Sequence, residues 1–85
     1  MTTREIKLAR SLLNVLHDRD GHAANETDLF GEMTVRCDCT LGEFKVTLLN
    51  CDARGWLTGV KGKFAGKLWD INDEGEIARM QLSRE

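Results

Sequence analysis

The 85-residue chain contains no proline, so its turns must be made by glycine, asparagine and short polar runs. It has no apolar run near the roughly 20 residues that cross a bilayer. Its start, MTTREIKLAR, breaks the apolar positions with charges where a signal peptide would be continuous. A cytoplasmic protein without a membrane partner is therefore expected. Cysteine is sparse and odd in number: Cys37, Cys39 and Cys51 cannot all pair within one chain, which suits a reducing compartment. Even with His17 or His22 as a fourth ligand a metal site is not expected, because C-x-C is unlike the C-x₂₋₄-C zinc knuckle and Cys51 falls in a helical pattern. Catalytic constellations are missing too. KGKFAGK lacks the G-x-x-x-x-G-K-[ST] order, Ser11 has no evident base, and His17 and Asp18, neighbours on a helix, point about 100° apart. No enzymatic activity, cofactor or small-molecule substrate follows from such a set.

What is present describes one small folded domain spanning residues 1–85. Charged residues at 31% and apolar ones at 41% lie in the ordinary globular range, and a chain this short buries only about 60 to 65% of its unfolded surface in a single core. Ile6, Ala9, Leu12, Leu13 and Leu16 recur at helical spacing, with Thr2 and Glu5 as a capping box at the start and Gly21 as a stop. A second helix capped by Asn25 or Thr27 would bury Leu29, Phe30 and Met33. Across Met33 to Cys39, however, apolar and polar residues alternate with the two-residue period of a strand, so this segment reads as a helix end near Val35 and a turn, or as a strand. Thr40 and Glu43 cap a third helix with Leu41, Phe44, Leu48 and Cys51 on its apolar side and Gly55 as its stop. WLTGV and KLWDI, separated by KGKFAG, form a β-hairpin pattern. Asn72 then caps a last helix whose Ile77, Met80 and Leu82 would fold onto the core. Leu12, Leu13, Leu16, Phe44, Leu48 and Trp69 are the expected core.

The order, with TLGEFKVTLLNCDARGWL running into a hairpin and then LWDINDEGEIARM, resembles a winged helix-turn-helix domain over nearly the whole chain. Its layout is also similar to that of short prophage-encoded bacterial proteins. The resemblance implies an α+β fold, with a three-helix core, a β-hairpin wing and a short C-terminal helix. A first strand between the first two helices, part of that pattern, is not evident in the sequence. The resemblance further implies DNA binding in transcription regulation, with the third helix in the major groove and the wing on the adjacent backbone. The exposed side of that helix would then be Thr40, Glu43, Lys45, Thr47, Asn50 and Arg54, and the wing would present Lys61, Lys63 and Lys67.

Charge divides the functional expectation. The chain carries a net charge of −2, yet three of its five lysines stand between Trp56 and Trp69 with no acid among them. Lysines on a glycine-punctuated hairpin suit phosphate, and three such contacts would give a salt slope of about −2.7. Asn50 can read adenine and Lys45 or Arg54 guanine. Against this, seven acids face only Arg19 and Arg36 between Asp18 and Glu43. A wing that merely keeps lysines in solvent and discourages edge pairing is the plainer alternative. A different class of function is a winged-helix assembly module, in a homodimer or a larger complex, that binds no DNA.

Overall fold

The computed structural model describes residues 2–19, 22–62 and 66–84. Three helices, α1 (Thr3–Asp18), α2 (Glu26–Arg36) and α3 (Leu41–Ala53), precede an antiparallel hairpin of β1 (Leu57–Lys61) and β2 (Lys67–Ile71), and α4 (Asp73–Leu82) follows. The architecture is α+β in the expected order.

Helix α1 is the centre of the fold, packing against α2, α3, α4 and β2. Leu12, Leu13, Val15 and Leu16 are fully buried along it, each worth about 1.5 to 3 kcal/mol relative to exposure. At its start the Thr2 hydroxyl oxygen accepts from the Glu5 backbone N–H at 3.1 Å. The second half of the expected capping box differs, because the Glu5 carboxylate accepts from the Thr2 hydroxyl. The helix ends at an Arg19 cap; the expected stop at Gly21 lies outside the described residues.

Asn25, not Thr27, caps α2, its side chain accepting from Asp28 N–H at 2.8 Å. No strand forms from Met33 to Cys39: the helix continues to Arg36, Cys37 is its cap, and residues 38–39 lead into α3. Met33 and Cys37 are buried while Val35 is 87% exposed, the i, i+4 relation of one helical turn rather than alternation across a sheet. A strand contact does lie between α1 and α2, but at Ala24, whose N–H and C=O both bond to Trp69 at 2.9 and 2.8 Å. One residue has no periodicity, so its neighbourhood could not announce this.

Thr40 and Glu43 complete a reciprocal capping box on α3. Gly55 ends the helix at φ +77°, with its N–H on the Asp52 carbonyl and Trp56 N–H on the Cys51 carbonyl, the paired bonds of a Schellman motif. Asn72 joins the next elements: its side chain accepts from Gly75 N–H and donates to the Gly55 carbonyl. That cap sets the phase of α4 so that Gly75 and Ala78 are buried and Leu82 partly so. Ile77 and Met80, expected in the core, are therefore about half exposed; the spacing 75, 78, 82 takes the inner face and turns 77 and 80 outward.

All six expected core residues are buried. Cys37, Cys39 and Cys51 are free thiols, and among the described residues no three His, Cys, Asp or Glu side chains gather for a metal. Burial pushes the Cys51 thiol up to about 12, leaving almost no thiolate at pH 8. Iodoacetamide should consequently spare Cys51 in the native protein and label it in urea, as read by mass spectrometry. Equal labelling in both conditions would contradict its burial.

Candidate functional site

The surface with most to offer a partner is formed by α3 and the hairpin. Residues directly opposite across an antiparallel pair project to the same face. Leu57 with Ile71, Gly59 with Trp69, and Lys61 with Lys67 thus share one face, while Thr58 with Asp70 and Val60 with Leu68 share the other. The first face is packed on the core at Leu57 and Trp69 and becomes cationic toward the tip. Lys67 Nζ lies 4.9 Å from the centroid of a Trp69 ring, an arrangement that holds the ammonium by cation–π attraction. Gly59 makes room for it, since a Cβ there would come within 3.1 Å of both Lys67 Cε and Trp69 Cζ3. Lys61 is exposed; Lys63 lies outside the described residues.

The candidate residues of α3 do not share one exposed face. Thr47 is buried, contrary to expectation: it follows Phe44 by three residues on the inner side, and its hydroxyl donates to the Glu43 carbonyl at 2.8 Å, so concealment leaves no orphaned donor. Thr40 is engaged in the helix cap. Asn50 is half-buried beside α1. Arg54 stacks its guanidinium 5.5 Å from a Trp56 ring centroid. Glu43 accepts from the Arg4 guanidinium at 3.1 and 3.2 Å and from the Thr40 backbone N–H, and Arg4 followed by Thr40 holds its carboxyl below the ordinary range. Folding lowers that pKa, so any stabilisation from the pair is present above the unfolded carboxyl pKa and is lost as pH falls through the folded one. Only Lys45 remains as an exposed, outward cation of the helix itself.

What α3 presents outward is instead apolar. Gly42, Val46, Leu49 and Ala53 are all exposed, Val46 at 56% and Leu49 at 64%. The sequence contained this stripe at 4-3-4 spacing, but Leu41, Phe44, Leu48 and Cys51 form a competing stripe that reads as the single apolar side. On one flank of the outward stripe, Leu8 and Ala9 of α1 floor a groove of about 410 Å³ rimmed by Arg4 and Glu43. On the other flank, Lys45 and Leu49 share a smaller hollow of about 170 Å³ with Trp69 and Glu26. Lys67 and Gly66 border the first turn of α2 at Asn25, Glu26 and Thr27, so the hairpin lies on the Lys45 flank of α3.

Arginine is largely committed elsewhere. Arg36 pairs with Asp18 at 2.6 Å and Arg19 with Glu32 at 2.7 Å, and Arg79 lies 3.8 Å from Glu76, which also meets His17 at 2.9 Å. Among the described residues, Lys45, Lys61 and Lys67 take part in no ion pair. No helix among the described residues is long and apolar enough to cross a membrane. Comparison with protein-family models, with curated protein sequences and with solved structures finds no match.

Proposed function

We propose that the chain is a winged helix-turn-helix module that binds duplex DNA, chiefly by phosphate contacts from its hairpin, and that needs a second copy or a larger complex for useful affinity. The observation that carries this reading is the direct opposition of Lys61 and Lys67 across the hairpin. Like charges placed opposite one another cost stability, and a phosphate between them removes that cost. The Ala24 to Trp69 bridge also supports the winged-helix assignment, since it supplies a strand contact between the first two helices. Lys45 on the hairpin flank of α3 is the natural additional contact. Sequence readout by α3 is expected to be slight, because Thr47 is inward and Asn50 faces α1.

Three hairpin lysines per copy correspond to a salt slope of about −2.7. Titration of labelled duplex DNA by fluorescence anisotropy at low and moderate salt should give weak binding that falls with salt. Replacing Lys61, Lys63 and Lys67 together by alanine should abolish most of it. No binding at low salt, or an unchanged salt slope in the triple variant, overturns the reading.

A second reading, a protein assembly module, is favoured by one specific observation: the outward line of α3 is Gly42, Val46, Leu49 and Ala53 rather than a polar base-reading set. Light scattering of the protein alone together with the DNA titration separates the two: a stable oligomer that binds no duplex DNA even at low salt marks the assembly module.

A further inference from the structure

We infer that a second copy of this chain seats on the outward stripe of α3, the two α3 helices running antiparallel about a two-fold axis. The inference rests on the assembly reading of this face, and its partner is identified by self-complementarity. A two-fold axis between Val46 and Leu49 pairs Val46 of each copy with Leu49 of the other, and Gly42 of each with Ala53 of the other. The 4-3-4 spacing is that of a helix–helix seam, and the small residues at its ends let the two backbones approach. Val46 of the second copy then lies toward the groove whose floor is Leu8 and Ala9, and Leu49 toward the Lys45 flank.

Charge agrees with this orientation. Lys45 and Asp52 lie on the same flank of α3, two turns and about 10 Å apart along the axis, too far to pair within one copy. In an antiparallel pair equivalent flanks face each other, so Lys45 of each copy meets Asp52 of the other and the contact forms twice. In a parallel pair this match is lost. The same symmetry decides where the hairpins go. Because the axis runs from the α1 flank toward the Lys45 flank, both hairpins emerge on one side of the dimer. Lys61 and Lys67 of the two copies thereby face a common ligand, which raises the effective concentration of two weak phosphate contacts.

The seam is small. A 13-residue helix is about 20 Å long and buries less than the roughly 800 Å² per partner of a standard interface. The dimer should therefore be of micromolar rather than nanomolar affinity. Sedimentation equilibrium on the whole chain, from about 10 μM to about 0.5 mM, is expected to show the mean mass rising toward twice that of one chain. Leu49→Glu, at an exposed position that spares the core, should weaken association by at least about tenfold with the circular dichroism unchanged. Lys45→Asp should weaken it as well, and Lys45→Asp combined with Asp52→Lys should restore it. Lys61→Ala with Lys67→Ala should leave it intact while weakening DNA binding, so failure of the DNA reading and failure of the dimer are told apart. A single-chain mass across the whole range, an association indifferent to Leu49→Glu, or a charge swap that restores nothing overturns the proposal.

Discussion

Gly75→Ala is expected to lower the melting temperature by about 8 to 16 °C, although the substitution improves helix propensity by about 1 kcal/mol. Gly75 sits in the first turn of α4 where the helix crosses the end of the hairpin. A Cβ there would collide with the Trp56 carbonyl oxygen and lie 2.6 Å from Ile71 Cγ1. The carbonyl belongs to the backbone and accepts from Asn72 N–H, so it cannot swing aside as a flexible side chain would. Relief requires α4 to move off Trp56 and Ile71, breaking the bonds through which Asn72 holds Gly55 and Gly75 together. Overpacking of this kind costs about 3 kcal/mol, and in a domain of this size each kcal/mol shifts the midpoint by about 4 to 8 °C. Thermal unfolding by circular dichroism decides the sign. A variant as stable as the parent would mean that propensity governs and that α4 is not pressed against the hairpin.

Phe44→Ala should cost about 3 to 5 kcal/mol. The ring is fully buried on the inner side of α3 and meets Phe30 of α2 with centroids 5.4 Å apart at an interplanar angle of 50°. It therefore ties α2 to α3 as well as filling the core. A domain of 85 residues has roughly 4 to 13 kcal/mol of stability in all, so the loss removes about a quarter of it or more. Phe44→Leu keeps most of the volume and is the control, expected to cost less than half as much. Urea denaturation measures both. Equal midpoints for parent and alanine variant would show that the inner face of α3 lies elsewhere on the helix.

These two sites differ in how visible they are in sequence. Phe44 belongs to a periodic stripe, and its burial follows from spacing alone. Gly75 looks like an ordinary polar-polar-Gly helix start, and nothing local reveals that a carbonyl from residue 56 lies against it. The same division runs through the candidate site. The hairpin and its lysines are legible because glycine, aromatic and branched residues punctuate a short run. The burial of Thr47 is not, because a threonine whose hydroxyl bonds one turn back is equally at home on either side of a helix.

The chain by itself determined its element order, the caps at Thr2, Thr40 and Asn72, the turn at Gly55 and the six central core residues. Each of these depends on side chains within about four positions of one another, or on a period that short segments display. Only the tertiary structure decided the rest: the Ala24 bridge to Trp69, the end of α2 where a strand was also readable, the outward turn of Ile77 and Met80, and the apolar outer line of α3. In every such case the deciding partner is distant in sequence. Of the two apolar stripes on α3, the one carrying Phe44 and Leu48 is inside because it joins the common core with α1 and meets Phe30 of α2, while Val46 and Leu49 are left to face whatever binds next.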